Sequence, residues 1–134
     1  MSFILEGTIN GMRPVSGKVE KGKNAGSYWH FLSMEVCDSR YGQVYSCQVR
    51  TSEKDLFPKF VKVGPGKDKD GNNVEVGSLV QDLTGHNVKL LVKGASAGER
   101  TVGDKATGAE ETILQVRFYV AGVKDLGLPK TDDF

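Results

Sequence analysis

Apolar and polar residues alternate with a period of two through most of the chain, and this pattern predicts β-strands rather than helices. At 3–9, the residues Phe3, Leu5 and Ile9 share one face, and the strand is expected to continue as far as Val19. Gly7 lies on the same face, where a glycine commonly marks a bend or a close approach of two backbones. Four further segments alternate in the same way and complete a prediction of five strands: 28–38, 43–51, 88–93 and 112–122.

The segment 28–38 divides its side chains between two faces. One set is mostly apolar and is expected in the core, whereas the other set ends in serine and glutamate and is predicted to be partly exposed. The core set is His30, Leu32, Met34 and Val36, and the exposed set is Trp29, Phe31, Ser33 and Glu35. Because His30 alternates with core residues, we interpret it as a packed histidine rather than a catalytic base.

The chain between the third and fourth strands is less regular. Residues 55–63 are expected to form a short helix or an extra strand broken by Pro58, and a polar loop is expected at 64–73. A short helix that begins at Ser78 is predicted for 78–83.

The final part of the chain predicts a long loop followed by the last strand. Residues 94–111 are rich in glycine, alanine, threonine and charged residues, and so long a loop in a small domain is a hint of function. The strand at 112–122 is expected to direct four side chains inward: Leu114, Val116, Phe118 and Val120.

Five strands, a long basic connection between the first two and a long loop between the last two predict an all-β fold. The expected architecture is a five-stranded OB-type barrel with long loops and at most a short helix, and a β-sandwich is the alternative. The 134 residues suffice for one domain, and 17 glycines favour many turns over a helical bundle. We divide the chain into an OB-type domain at 1–124 and a short acidic C-terminal tail at 125–134.

The formal net charge of +1 hides an uneven distribution of charge along the chain. A segment that we call the basic arm, residues 11–26, carries Arg13, Lys18, Lys21 and Lys23 against one glutamate. Residues 125–134 carry three aspartates against one lysine. A basic arm and an acidic end indicate two different partners.

The basic arm leads directly into three aromatic residues, and this combination is typical of proteins that bind single-stranded nucleic acid. Lysine and arginine contact the phosphates, while bases stack on aromatic rings. The alternative is that these rings cap the core or fill a dimer interface. The predicted nucleic-acid-binding residues are Arg13, Lys18, Lys21, Lys23, Tyr28, Trp29, Phe31, Tyr41, Arg50, Lys93 and Arg100.

Signatures of enzymes and metal sites are sparse. Cys37 and Cys47 are the only cysteines, too few for a disulfide scaffold or a four-thiolate zinc site, and we expect both to be reduced. Residues 64–67 contain glycine and lysine but lack the spacing of a phosphate-binding P-loop. We therefore predict that the protein is not an enzyme and has no catalytic residues, no metal and no cofactor.

The chain ends in Asp132, Asp133 and Phe134, a segment that we call the acidic tip. A compact basic and aromatic domain with such an ending resembles the single-stranded DNA-binding proteins of bacteria and bacteriophages. The resemblance implies that the acidic tip docks replication or recombination proteins through its terminal carboxylate and phenylalanine ring. Asp133 replaces the family's usual proline and the long linker is absent, so the chain is most similar to compact phage or plasmid members.

The resemblance implies sequence-tolerant binding and protection of single-stranded DNA during replication or recombination. A homodimer is expected, and a tetramer as in the bacterial family is the alternative, because linked sites raise affinity. An RNA-binding OB or cold-shock-like module and a structural or adaptor β-domain of a phage particle are the alternatives. No apolar run reaches the length of a membrane span, so a cytoplasmic location in a bacterial or phage-infected cell is expected.

Overall fold

The computed structural model describes residues 2–129, with the side chain of Arg100 excepted. Within these residues the chain forms seven strands and one four-residue helix. The elements are β1 (Phe3–Lys18), β2 (Tyr28–Asp38), β3 (Val44–Arg50), α1 (Phe57–Phe60), β4 (Val61–Lys67), β5 (Asn73–Leu79), β6 (Asn87–Gly103) and β7 (Glu110–Gly127).

Five of the strands close into a barrel in the order β1-β2-β3-β7-β6, and β6 pairs back onto β1. All neighbours are antiparallel except β3 and β7, which run parallel. The predicted all-β, five-stranded barrel of OB type is therefore confirmed. The strands β4 and β5 form a separate two-stranded hairpin between β3 and β6 in the sequence.

The barrel interior is filled by the side chains that the alternation assigned to it. Leu32, Met34 and Val36 of β2 are buried, and the fourth predicted strand contributes three fully buried side chains. These are Val88, Leu90 and Val92. Removing this much apolar surface from water is the main source of the barrel's stability.

Gly7 is buried where β1 passes close to the end of β2. A Cβ atom at this position would overlap the carbonyl oxygen of Cys37. The predicted close approach of two backbones is confirmed, and a larger residue here would force the strands apart. Three residues further on, the register of β1 with β2 shifts between Ile9 and Gly11, which indicates a β-bulge.

The prediction of a long loop at 94–111 is wrong. Most of this segment extends β6 and β7 into an antiparallel ribbon, in which Gly103 lies opposite Glu110. The turn is short and is closed by Asp104, whose N–H donates to the carbonyl of Ala109 at 2.8 Å. Backbone pairing holds the ribbon together, and small or polar side chains give little hydrophobic alternation to reveal it.

Two predictions between β3 and β6 are also wrong. The polar loop at 64–73 largely consists of β4 and β5 with a turn between them, and the helix at 78–83 is replaced by the end of β5. Ser78 does not cap a helix; its hydroxyl donates to the carbonyl of Lys62 across the hairpin. The turn between the two strands contains Gly71, whose φ of +80° is one that glycine adopts readily.

The last strand departs from its predicted burial near its start. Val120 is buried and Phe118 is partly buried, but Leu114 is 70% exposed and Val116 is exposed as well. These two residues belong to the ribbon beyond the barrel, where no second layer covers them. At its other end β7 continues to Gly127, three residues into the segment predicted as a tail.

His30 fastens the β4–β5 hairpin to the barrel. Its side chain is 7% exposed, as expected for a packed histidine. Its Nε2–H donates to the carboxylate of Glu75 in β5 at 2.6 Å, and in the neutral ring Nδ1 accepts from the hydroxyl of Ser16 in β1 at 2.5 Å. One side chain thus joins three strands through two hydrogen bonds.

The two cysteines are both free but differ in burial. Burial raises the pKa of the Cys47 thiol to about 12, because the thiolate would be stranded away from water. We expect alkylation of the folded protein at about pH 8 to modify Cys37 first and to leave Cys47 unmodified. Mass spectrometry of the labelled peptides tests this, with unfolded protein as the control in which both thiols react. Equal rates in the folded protein would contradict the burial of Cys47.

Candidate nucleic-acid interface

Trp29 and Phe31 lie side by side on the outer face of β2, as the alternation predicted. Their rings are nearly parallel, with an angle of 8° between the planes and 5.7 Å between the centroids. Trp29 is 45% exposed. The two rings are therefore stacked against each other on the outer face, with Trp29 exposed and Phe31 partly exposed, and they do not fill the core.

Gly17 of β1 creates the space that the indole occupies. It lies directly opposite Trp29 in the β1–β2 register, and a Cβ atom there would overlap Cζ2 and Cε2 of the ring. The tryptophan can therefore lie across the neighbouring strand only because residue 17 has no side chain.

Arg50 and Tyr119 continue this surface across two more strands. Arg50 is opposite Phe31 in the β2–β3 register, and its guanidinium carbon lies 4.0 Å from the centroid of the Tyr119 ring. The hydroxyl of Tyr119 hydrogen-bonds the hydroxyl of Ser96 in β6 at 2.8 Å. We call Trp29, Phe31, Arg50 and Tyr119 the stacking row.

The predicted lysines of the β1–β2 connection lie beside one end of the stacking row. Lys21 and Lys23 are exposed in the loop that joins Lys18 to Tyr28, next to Trp29 in the sequence. Paired backbone hydrogen bonds between Val19 and the residues 26–27 close this loop at 2.8 Å. The loop thus carries two cations on a defined turn.

Tyr28 and Lys18 do not share the face of the stacking row. They lie opposite each other in the β1–β2 register, one position away from the pair of Gly17 and Trp29, so their side chains point to the other face. Tyr28 lines a cavity with Val63 and other residues of the β4–β5 hairpin, and the Lys18 ammonium lies 6.0 Å from its ring centroid. The geometry does not support the grouping of Tyr28 with Trp29 and Phe31.

Two further predicted cations flank the outer face. Arg13 is exposed and lies opposite Ser33, two positions beyond Phe31 along β2. Lys93 is exposed at the irregularity of the β6–β7 register, next to Gly94, which is opposite Tyr119. Both residues are thus placed at the edges of the surface that the stacking row crosses.

The remaining predicted residues lie elsewhere or are not described. Tyr41 is 74% exposed in the turn after β2, at the opposite end of that strand from Trp29. Arg100 belongs to β6 opposite Ile113, but its side chain is outside the description. The acidic tip of Asp132, Asp133 and Phe134 lies outside the described residues.

Two residues on this surface were not among the predicted site residues. Tyr119 and the exposed Arg117 lie on β7 opposite Gln48 and Ser46 of β3. The alternation places both residues on the outer face of β7, but it does not predict which strand pairs with β7. The parallel pairing of β3 with β7 joins residues far apart in the sequence.

Comparisons of the chain with family models, curated proteins and solved structures found no match. In residues 2–129, no three His, Cys, Asp or Glu side chains come together in a way that could hold a metal ion. No helix in that part of the chain is long and apolar enough to cross a membrane. Function is therefore inferred from the geometry of the outer face.

Replacing Gly17 by alanine is expected to displace the Trp29 ring without unfolding the protein, and to lower by about fivefold the affinity for single-stranded DNA that the sequence predicts. The ring must move because the added Cβ would overlap it. Gly64→Ala is the matched control, since a Cβ there has no atom within 4 Å. Tryptophan emission and binding titrations of both variants measure the effect. Unchanged emission and affinity in Gly17→Ala would contradict the position of the indole.

Proposed function

We propose that this protein binds single-stranded DNA with little dependence on sequence and protects exposed strands during replication or recombination. The observation that carries the proposal is the stacking row, in which two parallel rings are followed by a guanidinium lying on a third ring. Aromatic and guanidinium planes on one exposed face are suited to stacking against successive bases.

Exposed stacking surfaces favour a single strand over a duplex. In a duplex each base face is covered by the neighbouring base pair, whereas the bases of a single strand are free to stack on protein rings. Because every base has a π-face, such contacts tolerate any sequence. Trp29 and Phe31 supply these contacts in the proposed complex.

The charges around the stacking row support a phosphate path on the same surface. Lys21 and Lys23 lie at one end, and Arg13, Lys93 and Arg117 lie along the edges. Contacts between cations and phosphates give affinity that falls as salt is added. The proposal needs no catalytic residue and no cofactor.

Fluorescence anisotropy with three labelled probes of one sequence tests the proposal: single-stranded DNA, the DNA duplex and single-stranded RNA. We expect the DNA strand to bind at least about tenfold more tightly than the duplex, with affinity that falls linearly in log salt. Equal affinity for the duplex would contradict the proposal. Tighter binding of RNA would favour the RNA-binding alternative. No binding of any probe at low salt would favour a protein-binding adaptor.

The homodimer or tetramer, and the recruitment of replication or recombination proteins by the acidic tip, stay predictions from the sequence. A second copy of the protein in the same oligomer would raise affinity for long DNA strands, although each copy would make the same contacts as before.

A further inference from the structure

A groove of about 500 Å³ opens on the outer face directly beyond the stacking row. Small residues from three adjacent strands form part of its lining: Gly11 of β1, Ser33 of β2 and Ser46 of β3. A Cβ atom at Gly11 would have no atom within 4 Å, so the space above this residue is open. The groove falls within the volume range of pockets that hold small organic groups.

Glu35 also lines this groove and is the one acidic residue among its lining residues. It lies between Gly11 and Ser46 in register, with Arg13 lining the same groove and Arg117 opposite Ser46. Among the described side chains, no ion pair within 4.0 Å includes Glu35. An exposed carboxylate on a surface that otherwise carries arginines repels phosphate and therefore needs another explanation.

Carboxylate oxygens accept hydrogen bonds and suit the amino-bearing edges of bases. Guanine offers an N1–H and an N2 amino group side by side, which match the two oxygens of one carboxylate. Cytosine and adenine offer one amino group next to a ring acceptor. Thymine has a single N3–H between two carbonyl oxygens, and a carboxylate repels both of them.

The position of the groove fits a base that follows one stacked on the row. Ser33 and Glu35 come two and four residues after Phe31 on the same face, which corresponds to about 7 and 13 Å along the strand. A nucleotide that follows the one on Phe31, up to about two positions along, can therefore bring its base into the groove, and Arg13 lies opposite Ser33 at the edge of the groove.

We infer that this groove is a base-recognition subsite in which Glu35 selects a nucleobase with an exocyclic amino group, guanine above all, over thymine. This inference rests on the proposed function, because it concerns a strand already bound on the stacking row. Most of the binding stays independent of sequence, and the subsite adds a preference at one nucleotide position.

Competition binding with two single-stranded oligonucleotides of about 15 nucleotides tests the inference. One contains only thymidine, and in the other every third thymidine is replaced by deoxyguanosine. The wild-type protein is expected to prefer the second about fivefold. Glu35→Gln keeps the size of the side chain and should bring this ratio close to one, while affinity for the all-thymidine strand rises.

Glu6→Gln is the matched control, because it removes the same charge from an exposed position of β1 that lines a different cavity. It should leave the ratio of the wild type unchanged. A wild-type ratio of one, or a ratio that survives in Glu35→Gln, would overturn the inference while the proposed function stands. Failure of the wild type to bind either oligonucleotide would overturn the proposed function and the inference with it.

Discussion

Trp29→Ala is expected to weaken binding of single-stranded DNA by about 1–3 kcal/mol, the usual contribution of one stacking platform. Trp29 is 45% exposed and its ring lies on Gly17 and beside Phe31, so its removal takes away a surface rather than part of the core. The barrel should therefore stay folded. Phe31→Ala is expected to act in the same direction, and anisotropy titrations at fixed salt measure both.

Tyr28→Ala is the matched control for these variants. It removes an aromatic ring from the adjacent position of the same strand, but from the opposite face. Affinity should stay close to that of the wild type. Loss of affinity in Tyr28→Ala together with unchanged affinity in Trp29→Ala would show that the DNA binds the face of β2 that carries Tyr28.

Reversal of Lys21 and Lys23 to glutamate is expected to lower affinity for all sequences alike by about tenfold at low salt, and to reduce the slope of log K against log salt by about 1–1.5. The two ammonium groups lie in the exposed loop that leads into β2 and Trp29, where the DNA strand would reach the first ring of the stacking row. Base composition should have little influence on the loss.

Lys89 and Lys124, reversed together, provide the control for net charge. They are exposed and lie opposite each other on β6 and β7, and Lys89 lines the same cavity as Tyr41, away from Trp29. Their reversal changes the net charge by the same amount and should leave the salt slope almost unaltered. Equal slopes in the two double variants would mean that Lys21 and Lys23 make no phosphate contacts.

The barrel strands could be predicted because each has one face in the core. In β2, Leu32 and Val36 are buried and Trp29 is exposed, and the sequence shows this as an alternation of apolar and polar positions with a period of two. The same period places Tyr28 and Trp29 on opposite faces of β2, so the alternation already implied that these two rings are separated. Backbone pairing without burial leaves no such pattern, and the extension of β6 through residues 94–103 was therefore missed.

The stacking row could be predicted only in part. Trp29 and Phe31 are neighbours on one strand, and a hairpin turn brings Arg50 opposite Phe31. The position of Tyr119 depends on the parallel pairing of β3 with β7, which is set by the closure of the barrel. Local patterns carry no information on that register, because it joins segments that are distant in the chain.

The fluorescence of Trp29, the only tryptophan, reports directly on the central claim that bases stack on the outer face of β2. Titration of the wild-type protein with oligo-dT at low salt should quench the emission in a saturable way, and added salt should reverse the quenching. An emission that stays unchanged at saturating oligo-dT, with binding verified by anisotropy, would contradict this account.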